Sequence, residues 1–419
     1  MKKLLWLALL TALVHGAFGV YYVTKDEALP AKLSLRLRGE AFLAAFPSWN
    51  SEREGDAAVY NRAAMEALAT GIPRTRSGAV FTHAPMYAYF LAGCYGLGGV
   101  GLLSVAVGQA ILAGLTCWLV GRTVQRIAGN LPLAGLLGGV LILVNVRLAM
   151  YVAYINPTIL LLFWVALALL ATAEKRLLLF TLAIGCGIFT QAAFFVIGVG
   201  AAGWLLLQAI REKRLAPAVA AVGLGLVAVV KVASSQYGTP TDAQKARDNP
   251  SLVIWEANNP YYESLGWLSL WERRPGNPWT QWQASPVEQQ RYVEYLERAK
   301  AQRSNPGVLW IKENPREYAK LCWVRFYTAL GPCTGQMSPR NRAISTVVWL
   351  VIFPAGFWGW WKYRQTPTGR FALWLITGVT LFSTLVIVEW YLRYRLPVDL
   401  TLTVFAAGWL ASKRAPDRR

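Results

Sequence analysis

The chain has 419 residues, 55% of them hydrophobic and 15% charged, with 19 Trp and a formal net charge of +20. Soluble domains average about 25% charged and roughly 45–50% apolar residues, so this composition excludes an ordinary soluble globular protein and indicates a chain that crosses a membrane many times. Much of the positive charge sits in short stretches beside apolar runs: Lys2 and Lys3, Arg122–Arg126, Lys175–Arg176, Arg211–Arg214, Lys362–Arg370 and Lys413–Arg419. That placement is the signature of cytoplasmic loops facing anionic headgroups and argues against a nucleic-acid partner.

The first apolar run, 4–23, follows Met1-Lys2-Lys3. About 20 apolar residues suit a full span better than a signal core, and Ala17, Phe18 and Gly19 offer no clean cleavage site. An uncleaved anchor with a cytoplasmic N-terminus is expected. Later runs fall near 86–97, 100–120, 132–150, 157–173, 177–209, 216–233, 344–361, 371–388 and 396–411, with polar segments at 24–83 and 235–343. The second polar segment holds fourteen Lys and Arg against ten Asp and Glu, the balance of a solvated domain. The expected fold is all-α: a polytopic transmembrane helix bundle of about 9–11 spans, at about 20 residues each, with two large extracytoplasmic loops. Its parts are an N-terminal transmembrane module (1–234) carrying the first loop (24–83), a loop domain (235–343) and C-terminal transmembrane helices (344–419).

If the basic loops are cytoplasmic, an odd number of crossings precedes residue 235. The run 86–97 is too short to cross about 30 Å of hydrocarbon at 1.5 Å per residue, so it is expected to be re-entrant or merged with its neighbour. The run 177–209 reads as two short spans turning at Thr190-Gln191; the alternative, one long tilted span, would put Arg122, Arg126, Lys175 and Arg176 on the outer side.

The insert between the first two apolar runs carries Glu52, Glu54 and Asp56, then a run of helix formers over 56–69. Val59, Tyr60, Ala63, Ala64 and Leu68 give this helix an apolar side, Asp56 suits its start and Gly71 its end. Asp56 reads either as a cap or as a general base beside the lipid headgroups; the two roles are compatible. Glu54 and Asp56 form an acid-x-acid pair that suits a divalent cation and equally suits a solvated loop. His83, one of only two histidines, stands at a membrane entry where it can bind phosphate or move a proton. Near the far end, Arg393-Tyr394-Arg395 offers two guanidinium groups on the expected outer side, a grip for phosphate. Trp255, Trp267, Trp271, Trp279 and Trp282 read as an interfacial belt or as a sugar-stacking surface. No CxxC or Cys/His cluster suggests zinc.

Three motifs, in this order, resemble the type C glycosyltransferases, the polytopic enzymes that take sugar from a polyprenyl-phosphate donor. The group in question contains protein O-mannosyltransferases and lipid A aminoarabinose transferases. The motifs are Gly55-Asp56-x-x-x-Tyr60 with the helix ending Leu68-Ala-Thr-Gly71, then His83-x-Pro85-x-Tyr87-x-Tyr89 leading to Leu97-Gly98, then Arg393-Tyr394-Arg395-Leu396-Pro397. The resemblance gives Asp56 the role of catalytic base. It also carries departures. Where the aminoarabinose-transferring members have basic residues, this chain has Val59, Ala84 and Gln191. Phosphate binding therefore shifts to Arg393, Arg395 and His83, with Tyr60, Arg74 and Arg76 beside them.

The resemblance implies a hexosyl- or pentosyltransferase of the cell envelope, in the inner membrane, with a periplasmic active site. Its partners would be a polyprenyl-phosphate sugar donor, membrane lipids and a glycan, lipid or protein acceptor, with a divalent metal ion as a possible cofactor. A catalytically inactive relative that binds or flips a lipid-linked sugar is the alternative that the neutral positions favour. A secondary transporter would need ionisable groups in mid-span; Arg147, Lys231 and Glu389 come nearest, each close to a span end.

Overall fold

A computed structural model describes residues 2–24, 56–75, 78–152, 154–191, 194–237, most of 294–331, 339–385 and 392–414. Every named element in it is helical, as the apolar periodicity requires. The helices are α1 (Lys2–Thr24), α2 (Asp56–Thr70), α3 (Pro85–Gly98), α4 (Leu102–Ile127), α5 (Pro132–Leu143), α6 (Val146–Val152), α7 (Thr158–Ala173), α8 (Leu177–Thr190), α9 (Phe194–Glu212) and α10 (Leu215–Tyr237). They are followed by α11 (Pro306–Glu313), α12 (Pro315–Leu330), α13 (Pro339–Tyr363), α14 (Pro367–Leu385) and α15 (Leu392–Arg414). Proline opens α3, α5 and α11 to α14, at the first helical position, where its missing N–H costs nothing.

The chain divides into two compact units. One comprises Met1–Thr239, Val351–Gly378 and Leu396–Arg419; the other comprises Pro240–Leu350 and Val379–Arg395.

In the first unit the helices run back and forth between two ends. Antiparallel α1 and α4 touch at Leu4 beside Gly121, Ala8 beside Gly114 and Gly16 beside Ala110. Helix α5 returns alongside α4, with the Gly135 backbone against the carbonyl of Gly121. Three arginines converge on Glu174 at the α7–α8 turn: Arg122 at 3.6 Å and Arg126 at 3.2 Å from the end of α4, and Arg176 at 3.1 Å. Thr172 and Thr368 meet at 3.2 Å, which brings the start of α14 to the same place. There the ends of α13 and α15 also lie together, where the Tyr363 hydroxyl donates to the Gly408 carbonyl at 3.2 Å and Lys362 donates to Ser412 at 2.8 Å. Arg364 stacks on Trp361 at 4.2 Å, and Lys413 lies over Trp409 at 5.2 Å. Basic residues mixed with tryptophan mark a membrane–water boundary. One end of this unit is thus a basic belt, and the first long polar insert feeds the other.

Three helices of the described residues are long and apolar enough to cross a membrane: α1, α4 and α9; the bent pair α5–α6 makes a fourth if counted as one span. Helices α7, α8 and the Leu215–Lys231 part of α10 are apolar but shorter. The run 132–150, read from sequence as one continuous segment, is broken at Asn145 by a bend of 57°. The run 177–209 turns after Thr190, with Gln191 buried at the turn. Helix α3, at 14 residues, is about 21 Å long, well short of the hydrocarbon thickness.

In the second unit, Asn305 caps α11 by accepting the Val308 N–H at 3.1 Å. Arg298 pairs with Glu313 at 2.9 Å on its surface. Arg325 of α12 is fully buried. Burial, reinforced by the contact with Cys322, pushes the Tyr318 hydroxyl up to about 12, while Arg325 pulls it the other way.

The α13–α15 contact depends on Gly359, where an added Cβ would stand 2.1 Å from the carbonyl oxygen of Phe405. A backbone atom cannot swing aside as a side chain can. Gly359→Ala is expected to destabilise the protein by about 1–3 kcal/mol, the usual cost of overpacking. Thermal unfolding of the purified protein in detergent will show a lowered midpoint; an unchanged midpoint would mean that the two helices pack differently.

Candidate functional site

At the end opposite the basic belt, α2 lies against α3, and the first two of the three motifs named above meet there. The buried face of α2 is Tyr60, Ala63, Ala64 and Ala67, spaced at i, i+3, i+4 and i+7, with Asn61 also fully buried. This corrects the sequence reading in one detail: Leu68 points outward, 47% exposed, and Ala67 takes its place. Small residues let the two helix backbones approach closely. The helix stops where Gly71 turns left-handed at φ 79° and its N–H bonds the Ala67 carbonyl at 2.9 Å. That end is pinned to α3 by the Tyr89 hydroxyl, which donates to the Gly71 carbonyl at 3.2 Å.

Tyr60 is the hub of an aromatic cluster. Its ring meets Tyr87 edge-on at 5.2 Å, Phe81 edge-on at 6.1 Å and the His83 imidazole in a stacked arrangement at 6.4 Å. Tyr60, Phe81 and Tyr87 are buried, while His83 is exposed. Next to Tyr60 on α2, the Asn61 side-chain oxygen accepts from the Tyr95 hydroxyl at 2.5 Å, a buried polar bond linking α2 and α3. Between the helices the chain folds back on itself. Arg74 and Val80 form an antiparallel bridge, and the Arg74 guanidinium donates to the Gly78 carbonyl at 2.8 Å.

Lys231 reaches this turn from α10. Its side chain is buried, and its ammonium donates to the carbonyls of Thr82 and, at 2.9 Å, of His83. Beneath the turn, Gln109 of α4 donates to the carbonyls of Val152 and Tyr154 at 3.1 and 2.7 Å. At the start of α6, Arg147 forms a short ion pair with Asp399 of α15, at 2.6 Å, with both side chains largely buried.

The sequence candidates distribute as follows. Tyr60 and His83 are in mutual contact. Asp56 is the first residue of α2, four positions before Tyr60, in the first unit. Arg74 is engaged with its own hairpin. Arg393 and Arg395 belong to the second unit; both fall in the first turn of α15, and Arg395 is buried. Glu54 and Arg76 lie outside the described residues, as do the five tryptophans of 255–282. Among the described residues no group of three His, Cys, Asp or Glu side chains gathers to hold a metal ion. Lys231 and the Arg147–Asp399 pair were not among the sequence candidates for the site. Their signal was present: a lone charge inside an apolar run is expensive unless it is used.

Residues 82–235 match the family model described as dolichyl-phosphate-mannose-protein mannosyltransferase. The resemblance to the type C glycosyltransferases is supported. The matched stretch covers over a third of the chain, from the His83 turn through α10, and therefore contains both Lys231 and the carbonyls it binds. It supports a membrane glycosyltransferase of this general type, acting from a multi-pass helical framework. A search of curated proteins finds no match.

A buried ion pair is worth most when one partner is removed, because the other then stays charged in an apolar place, at a cost of about 3–5 kcal/mol. Arg147→Met is therefore expected to destabilise the protein strongly, and Arg147→Met with Asp399→Leu to recover most of the loss. Unfolding midpoints of the two single variants and the double variant provide the check; additive losses would contradict the pairing.

Proposed function

We propose that the protein is a glycosyltransferase that moves a hexosyl or pentosyl group from a polyprenyl-phosphate donor to a lipid, glycan or protein acceptor. Its site would lie at the extracytoplasmic face of an inner membrane, with the N-terminus cytoplasmic. The observation that carries this reading is the docking of α2 on the His83–Tyr89 segment, which joins two of the three resembling motifs into one structure. The basic belt at the opposite end supports the orientation, since positive loops stay in the cytoplasm.

In this reading Asp56 accepts the proton of an acceptor hydroxyl or amine as that group attacks the anomeric carbon. The bond from that carbon to the phosphate oxygen breaks, and the polyprenyl phosphate leaves with the electron pair. The leaving group is already an anion, so it needs neutralisation more than protonation. Arg393 and Arg395 would supply this neutralisation, with His83 assisting. The proposed domains are the N-terminal transmembrane module, the loop domain and the C-terminal helices at the boundaries given above.

Asn in place of Asp56 keeps the ability to cap a helix and removes the ability to take a proton. Asp56→Asn is expected to lower sugar transfer by about 10²–10⁴-fold, the usual contribution of a general base, with little change in unfolding temperature. The assay compares lipid-linked sugars and glycosylated products in membranes carrying either form; transfer at the original rate would remove Asp56 from the mechanism.

A further inference from the structure

Lys231 is the one described lysine that is buried. It lies near the far end of α10, about 150 residues along the chain from the turn it binds. Nothing in the α10 sequence requires a cation there: its neighbours Val229, Val230, Val232 and Ala233 are apolar. A lysine buried in an apolar helix is costly and is retained where it does something.

What it does is visible in its bonds. Thr82 and His83 lie in the non-helical link between the Arg74–Val80 hairpin and α3, where both offer backbone carbonyls. The ammonium takes both. Two bonds to successive carbonyls fix the peptide plane between Thr82 and His83, and with it the direction in which the Cα–Cβ bond of His83 leaves the chain. On its other side the imidazole is stacked on Tyr60. The same bonds fix the approach to Ala84, whose carbonyl receives the first helical bonds of α3, from Tyr87 and Ala88 at 3.1 and 3.2 Å.

We propose that Lys231 is a positioning residue for phosphate recognition: by clamping the Thr82 and His83 carbonyls it holds the His83 imidazole toward a polyprenyl-phosphate ligand. This rests on the proposed function and deepens it. Lys231 acts on the ligand through His83.

The test uses the full-length protein in lipid nanodiscs and farnesyl phosphate as the probe, with dissociation constants from isothermal titration. His83→Ala is expected to weaken binding, and Lys231→Met to weaken it about tenfold, the equivalent of one hydrogen bond to a charged group. Because the lysine acts through the histidine, the double variant should bind no more weakly than His83→Ala alone. A purely structural role would lower stability without this coupling. Lys231→Gln, which keeps a donor to the carbonyls and loses the charge, should bind between wild type and Lys231→Met; it carries the same cycle if the methionine variant does not fold. Unchanged binding in the Lys231 variants beside a weakened His83→Ala would overturn the positioning role alone, as would losses that multiply in the double variant. Absence of any farnesyl phosphate binding by the wild-type protein would overturn the lipid-phosphate reading itself.

Discussion

A backbone carbonyl freed by a break in a helix has no water to turn to inside an apolar slab, and each one left alone costs several kcal/mol. Much of the first unit follows from this constraint. Its helices break repeatedly, and at several of the breaks a buried or half-buried side chain takes up a loose backbone group. His15 lies 2.9 Å from the carbonyl of Leu143, where α5 ends. Asn145 accepts the N–H of Leu148 at 3.2 Å, where α6 begins. Ser104 donates to Gly99 at 2.6 Å between α3 and α4. Asn156 accepts the N–H of Thr158 at 3.0 Å at the start of α7. Gln109 and Lys231 do the same for two longer links. Several polar side chains of this unit thus share one occupation, which is to make irregular backbone tolerable.

The two ends of the unit handle polarity differently. At the basic belt the helices end in short turns, and the charges face outward or share Glu174. At the other end the chain has room for α2, a hairpin and the two short helices α3 and α6. Irregular backbone at such depth is tolerated only where protein buries it or where it lines a cavity. An enzyme that must meet a lipid-borne sugar needs such a place, since a bundle of unbroken helices would present the substrate with nothing but side chains on smooth cylinders.

How much of this was legible in the sequence depended on the range of the signal. Apolar runs and basic loops are local patterns, and they mapped well onto helices: the turn after Thr190 and the shortness of α3 both follow from counting residues. The apolar face of α2 came out nearly right, with Leu68 misplaced because a 3.6-residue period separates positions 67 and 68 by only 100°. The bend at Asn145 was hidden, because Val144 and Val146 flank a single polar residue in a run that reads as continuous. Its cause is a side chain competing for backbone bonds, an effect no hydrophobic average contains.

Lys231 and the Arg147–Asp399 pair mark the real limit. Each looked like a charge stranded near the end of a span, because its partner lies about 150 or 252 residues away along the chain. The partners of Lys231 are carbonyls, which every residue has and no sequence pattern can single out. Asp399 has a side-chain partner, yet the Arg393-Tyr394-Arg395 motif four positions earlier is the stronger local pattern. Positions 59, 84 and 191, where the resemblance would put basic residues, are neutral in this chain. A helical bundle can deliver the same charge from any helix that ends nearby, so the absence of a basic residue at a motif position does not by itself report a neutral site.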